Sequence, residues 1–469
     1  MARIIVVGGG MIGLATALLL EKQGHEITVL ERDPAPPPGT PGGAWADWER
    51  AGVMQFRQPH FLHAGGWQLI KSELPDVARA LAGADAVPWS PLSLLPPGIT
   101  DRSPRPGDER LGTMNARRPV LEHAMASAGS GRIDVRRGVL VTGLLSDRPG
   151  HVSGVRIQPG AELRADLVID AAGRRSPLPA WLAAIGAGQP AEENGETGFT
   201  YYTRFFRARD GQQPPQLRAA PLTHFDCYSI LTLPSHARTW SVTIYITSAD
   251  KALKALRDED RWTRLLAAGP LYAHLVDEQD PITGVLPASG ITDRRRDLVV
   301  DGAPAATGIL AVGDSWACTN PSGGRGVTLG LKHAALTAEV VGEYLGDPLA
   351  LTLAHHRLTA ERLLPWYRFT VEADRVRAEQ ITAVLQGRPQ PPAAPPSPEL
   401  TLLRKMVAGM SHDPDVFRAF LELTGLLATP AEIAARPGMS EHIDEAAAGH
   451  RPSTAPGPSR AEVLAMLTP

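Results

Sequence analysis

A strand, three glycines, a helix and a second strand follow one another over residues 3–33, and this unit constrains the whole chain. The apolar run 4–7 meets Gly8, Gly10 and Gly13 in G-x-G-x-x-G spacing; residues 14–23 are helical in pattern, and the apolar run 27–30 ends in Glu31. Each part has a physical task. Gly8 permits the tight turn out of the strand, Gly10 lets backbone approach a pyrophosphate, and Gly13 lets helix and strand pack closely. Met11 and Ile12 belong to the same phosphate-facing turn, where a helix N-terminus offers free N–H groups and partial positive charge. Glu31, followed by Arg32, can accept hydrogen bonds from a ribose diol. Glycine spacing alone is weak evidence, but the full ordered unit predicts a dinucleotide site. The apolar residues 1–20 do not read as a signal peptide, because they hold three glycines, lack a small-residue cleavage site and return at once to a second strand.

The 469 residues suffice for two or three domains. No apolar run is long enough to cross a bilayer. The net charge of −3 argues against a nucleic-acid partner held by general electrostatics. Cys227 and Cys318 are too few and too far apart for a disulfide framework or a Cys-rich zinc site, so a reducing, cytoplasmic location is expected.

Residues 34–60 form a connection too long for an ordinary link between helix and strand, and long loops beside a nucleotide strand carry function. Helices are predicted at 64–82 and 117–128, a turn-rich stretch at 88–110, and strands at 133–136, 139–144, 152–157 and 165–170. Residues 200–206, 228–233 and 239–247 are rich in β-branched and aromatic side chains and predict an antiparallel sheet. That sheet is inserted before a further strand, 308–314, and a long helix reaching about 346. Beyond 350 the pattern is helical, interrupted by a Pro-rich linker at 389–398. A last helical segment covers 399–446. The Pro/Ser-rich tail, 449–460, is expected to be poorly ordered.

Three separated motifs now stand together: Gly8-x-Gly10-x-x-Gly13 with Glu31, Asp170-Ala-Ala-Gly173-Arg-Arg-Ser176, and Gly313-Asp314 followed by Asn320-Pro321-x-x-Gly324-x-Gly326. Over roughly residues 1–350 the chain resembles the FAD-dependent monooxygenase superfamily. That superfamily includes aromatic hydroxylases, epoxidase-like enzymes, flavin halogenases and geranylgeranyl reductases. The resemblance implies an α/β fold: a Rossmann-like FAD-binding domain of p-hydroxybenzoate hydroxylase-like type, an inserted antiparallel β-sheet substrate domain and a C-terminal helical segment. The implied division is 1–75, 110–185 and 290–350 for the FAD domain, 76–109 and 186–289 for the substrate domain, and 351–469 for the helical segment.

The resemblance also implies roles. Asp314 would hold the ribityl hydroxyls of FAD. Pro321, Gly324 and Gly326 would form the loop beside the isoalloxazine, and the helix from Val327 would stabilise negative charge on the reduced ring. Arg118 would lie near the phosphates, and the backbone at Val141 would hold adenine. Where aromatic hydroxylases carry an Asp-Gly pair linked to FAD and NAD(P)H, this chain has Ala172-Gly173, with Asp170 the nearest acid. Electrons would come from NADPH or NADH, directly or through a separate flavin reductase. The Trp-x-Trp-x-Ile-Pro motif of halogenases is missing, since Trp45 and Trp48 are spaced differently, and Lys71 reads as a helix-surface residue.

The implied reaction is transfer of one oxygen atom from O2, by way of a C4a-hydroperoxyflavin, to an apolar or aromatic substrate, as hydroxylation or epoxidation in secondary metabolism. The protein's part is to position that substrate and exclude water. Tyr201, Phe205, Phe225, Tyr228, Trp240 and Tyr245 are candidate wall residues, of which strand alternation lets only some face inward. Arg57 and His60 are candidates beside the flavin; His60 either moves a proton near neutral pH or packs its loop against the cofactor. A C=C reductase, a two-component oxygenase and a non-enzymatic FAD-binding protein remain open as alternatives, as does a homodimer built on the C-terminal segment.

Overall fold

Five parallel strands form one sheet, in the order Ile309–Ala311, Leu167–Asp170, Arg3–Val7, Glu26–Glu31 and Asp134–Arg137. The computed structural model describes residues 1–195, 198–277, 279–389, 397–450, 455 and 457–468. Parallel strands need cover on both faces, and their near-continuous Ile/Val/Leu runs supply the apolar surface. Helix Met11–Glu21 is buried from Leu14 to Leu20, and helix Gly326–Tyr344 packs beside it. The close approach expected at Gly13 is real: a Cβ there would lie 1.9 Å from the Gly8 carbonyl oxygen. Gly8 itself takes φ +107°, which a side chain would resist.

The inserted sheet is antiparallel. Strand Thr239–Thr247 lies between Ser229–Ser235 and Phe199–Arg207; Leu222–His224 forms one edge, and Asp280–Pro281 and Leu286–Ala288 cover the other. The register pairs Tyr201 with Tyr245, Thr203 with Thr243 and Phe205 with Ser241 on one face. On the opposite face Phe206, Trp240, Val242 and Ile244 form a core with Trp262 and Leu266 of helix Glu259–Ala267.

Several expectations shift. The helix read at 64–82 is two, Ala64–Glu73 and Pro75–Gly83, because a proline disfavours helical backbone at the residue before it, Leu74. Residues 76–109, expected with the substrate sheet, instead place Val77 and Leu81 in the core around the parallel strands, while Ile99 packs with Phe417 and Leu421 of the C-terminal segment. The helical stretch at 399–446 is broken before Pro414 and Pro430. Most of the Pro-rich linker and much of the 449–460 tail lie outside the described residues. Beyond the tail, helix Arg460–Leu467 starts with a capping box of Ser459 and Glu462 and buries Val463 and Leu467 in the core behind the inserted sheet. No helix among the described residues is long and apolar enough to cross a membrane. Both cysteines are buried and free.

Candidate functional site

A cleft with about 2120 Å³ free of protein atoms, part of it open to solvent, begins at the C-terminal ends of the parallel strands and reaches the inserted sheet. Ligands of open α/β sheets bind at that end. Its lining includes Gly8, Gly10, Met11, Ile12, Gly13, Glu31, Arg32, Arg118, Val141, Asp314, Pro321, Gly324, Gly326 and Val327, so the structure brings every predicted cofactor residue to one place. The far wall is Tyr201, Thr203, Leu231 and Thr243.

The shape suits a dinucleotide carrying a polyol. A Cβ built on Gly10 would meet nothing within 4 Å, so bare backbone faces the space where a pyrophosphate would sit. Gly326 is equally open and starts helix Gly326–Tyr344, whose end N–H groups have no intrahelical acceptor. The Asp314 carboxyl lines the cleft, and no protein donor bonds it among the described residues. Removal from water raises its pKa, against the pull of Arg118, Arg174 and Arg294. A carboxylate in that position has free lone pairs for hydroxyl groups. The residues present therefore fit FAD.

Glu31 is held before any ribose arrives. Its Oε2 accepts from the Gly9 N–H and from Arg50 Nη2, both at 2.8 Å, and its Oε1 accepts from the Asp33 N–H at 2.9 Å. Arg50, which sequence reasoning missed, also pairs with Asp33 at 3.2 Å and Glu122 at 2.9 Å, and its side chain is 1% exposed. Glu122 in turn accepts from Arg118 Nε at 2.7 Å. Three buried carboxylates thus share two guanidinium groups, which compensates charges that would be costly to bury alone.

The two proposed catalytic residues need correction. Arg57 does not line the cleft; it donates to the carbonyls of Trp45 and Trp48 and lies 5.1 Å from the Trp45 ring centroid, bracing the loop from behind. His60 does line the cleft, but both ring nitrogens are used. Arg118 Nη1 lies 2.7 Å from Nε2, and an arginine can only donate, so Nδ1 carries the proton and donates to the Gln58 carbonyl at 2.9 Å. Loss of water around the ring and the Arg118 charge push its pKa down to about 3. The ring is a neutral acceptor that orients Arg118, not a proton shuttle near neutral pH.

The substrate wall also differs. Of the aromatic candidates only Tyr201 reaches the cleft. Trp240, Phe225 and Tyr228 belong to the core behind the sheet, and Phe205 packs on Trp45 with ring centroids 5.0 Å apart. Tyr245 lies beside Tyr201, 5.3 Å between centroids, one layer from the cleft. The wall is instead Thr203 and Thr243, hydroxyl to hydroxyl at 2.9 Å, with Leu231 opposite Thr243 in register and Gln58 Oε1 accepting from Thr203 at 3.2 Å. Strict alternation from Tyr201 along its strand was the signal that could have found Thr203.

Asp170 is fully buried and already engaged: it accepts from the Ala172 N–H at 3.0 Å and from the hydroxyls of Ser176 and Ser315. It joins the second motif to the Gly313–Ser315 turn and offers nothing to a ligand.

Residues 3–51 match the FAD dependent oxidoreductase family, DAO. Protein Rv3254 of Mycobacterium tuberculosis is 28% identical over 421 residues, which is 78% of this chain and 83% of that protein. Among solved structures, the flavin-dependent brominase Bmp2 superposes with a TM-score of 0.60 at 15% identity, covering 94% of this chain and 99% of Bmp2. The OxyS anhydrotetracycline hydroxylase from Streptomyces rimosus gives 0.55 at 17% identity, covering 91% of this chain and 76% of that one. The chain has the fold of flavin-dependent monooxygenases and halogenases. Residues 3–51 are similar to the corresponding segment of FAD dependent oxidoreductases.

Proposed function

We propose that this protein is an FAD-dependent monooxygenase that places one oxygen atom from O2 into an organic substrate held against the inserted sheet. The supporting observation is the continuity of one cleft, whose lining runs from the Gly8–Gly13 turn through Asp314 and the 321–327 loop to Tyr201, Thr203, Leu231 and Thr243. FAD, when bound, supplies the redox chemistry and the reaction with O2. The chain's own residues divide the remaining work. Gly10 and the first turn after it would take the pyrophosphate, Asp314 the ribityl hydroxyls, and Arg118, held by His60 and Glu122, would stabilise negative charge in the middle of the cleft. The loop at 321–326 and the N-terminus of the helix after it would offer N–H groups to the flavin ring and stabilise negative charge on it. The sheet shields the reacting centre from water.

The wall chemistry narrows the substrate to an apolar body with at least one polar group, because Thr203, Thr243 and Gln58 stand beside Leu231. NADPH or NADH serves as the ultimate electron donor; with Asp170 fully engaged and Ala172 in place of an acid, a separate flavin reductase is the favoured route. Reconstitution with FAD, anaerobic reduction and then exposure to isotopically labelled O2 with candidate substrates tests the reading. One labelled oxygen in the product supports it. A product reduced at a C=C bond without O2 uptake overturns it.

A further inference from the structure

The segment beyond residue 350 has no evident role in an FAD fold, yet one of its helices reaches the loop expected beside the flavin ring. On helix Leu364–Leu385, Thr370 and Asp374 stand four residues apart on one face. Thr370 Oγ1 accepts from Arg325 Nη1 at 3.3 Å, and Asp374 Oδ1 accepts from the hydroxyl of Ser322. Ser322 and Arg325 both lie within the 321–326 loop. Asp374 is 5% exposed, and its second oxygen, Oδ2, has no hydrogen-bond partner.

A second acid lies in the same network. Asp293 Oδ1 accepts from the Asn320 N–H at 2.7 Å, and the Asn320 side chain accepts from the phenol of Tyr201, the residue that lines the substrate end of the cleft. Asp293 also keeps one oxygen buried and unpartnered. The loop is therefore tied on one side to the sheet through the Asn320–Tyr201 bond, with Asp293 holding the Asn320 backbone, and on the other to the C-terminal segment through Ser322 and Asp374.

Resting on the reading of this loop as the flavin-facing one, we infer that Asp374 is a positioning residue that holds the loop through Ser322 and gives the C-terminal segment a direct part in the cofactor site. The carboxyl works in its neutral form. An ionised Oδ2 would be a buried charge with no donor, which is costly. It would also set negative charge behind the N–H groups that face the ring. The groups around it are Ser322 and Arg325 from the loop, Asp293, and Tyr201 and Tyr245 from the sheet, with Arg377 on its own helix. Burial and the Asp293 charge outweigh Ser322 and Arg325 and raise Asp374 to about 7. A raised carboxyl contributes stability below the ordinary carboxylate range and loses it as pH rises through about 7.

The test measures FAD affinity, by quenching of flavin fluorescence, for the full-length apoprotein and its Asp374→Asn, Asp374→Ala and Ser322→Ala variants between about pH 6 and about pH 9. Wild type should lose affinity several-fold across that range. Asp374→Asn, which mimics the neutral acid, should match wild type at the acid end and stay flat. Ser322→Ala should bind about tenfold more weakly throughout, with an altered visible spectrum. If Asp374→Ala does not fold, Asp374→Asn and Ser322→Ala still decide. A pH dependence shared by wild type and Asp374→Asn, or wild-type affinity in Ser322→Ala, overturns the inference. Failure of wild type to bind FAD would instead overturn the reading beneath it.

Discussion

Arg118 meets His60 on the wall of the cleft with 2.7 Å between Nη1 and Nε2, and that contact determines what the histidine can do. A ring that must accept from a guanidinium stays neutral. Replacing His60 by Gln keeps an acceptor for Arg118, and the pH–rate profile should show no lost ionisation near 6.5. His60→Ala leaves a buried Arg118 donor unmatched and should destabilise the protein by about 1–3 kcal/mol in denaturant unfolding. Loss of a rate-controlling ionisation near neutral pH in His60→Gln would show that the ring does move a proton.

Other buried histidines make the fold sensitive to acid. Burial pushes His63, His236 and His355 down to about 3, and His333 falls well below its ordinary value. His63, 8% exposed, donates from Nε2 to the Gly323 carbonyl at 2.9 Å, while His333 accepts from the Gly313 N–H beside Asp314 at 3.2 Å. Between about 3 and 6.5 the unfolded chain binds more protons than the folded one, so stability rises with pH in that window and is lost on acidification. Each such group contributes at most about 1.4 kcal/mol per pH unit. Thermal unfolding should drop steeply below 6.5, and His355→Gln should flatten the fall.

Gly10 and Gly13 should separate binding from folding. An added methyl at Gly13 would strike the Gly8 carbonyl, so Gly13→Ala should lower apoprotein stability by several kcal/mol or prevent folding. Gly10 has an ordinary φ of −77° and an open Cβ direction. Gly10→Ala should leave the unfolding midpoint of the apoprotein nearly unchanged and weaken FAD binding by about tenfold or more. Calorimetry and titration on the same preparations check both.

The two faces of the inserted sheet should respond differently. Thr243→Val and Thr203→Val change the cleft wall and should alter KM or product pattern several-fold with stability cost near that of one lost hydrogen bond, about 1 kcal/mol. Trp240→Ala acts on the opposite core, where the ring is 2% exposed and stacked on Phe206. It should cost about 3–5 kcal/mol with little effect on KM in the folded fraction.

The Gly8–Gly13 turn was legible in the sequence because its requirements are local. Gly8 needs a positive φ and Gly13 needs space, and no distant residue can substitute for either. Asp314 and the glycines after it were legible through their order along the chain. The substrate wall was not. Both faces of Phe199–Arg207 and Thr239–Thr247 are buried, so aromatic content did not reveal which face meets the cleft. Arg50 escaped notice because its three carboxylate partners come from two strand-end positions and a helix far along the chain. Asp374 escaped for a similar reason: on a surface-like helical pattern an acid looks solvated until the tertiary fold buries it.

Binding of FAD is the most direct test. Purified apoprotein titrated with FAD should take up one equivalent per chain and turn yellow with quenched flavin fluorescence, and Asp314→Ala and Gly10→Ala should bind FAD about tenfold or more weakly while both variants stay folded. A wild-type protein that stays colourless and leaves FAD fluorescence unchanged would contradict the assignment of the cleft.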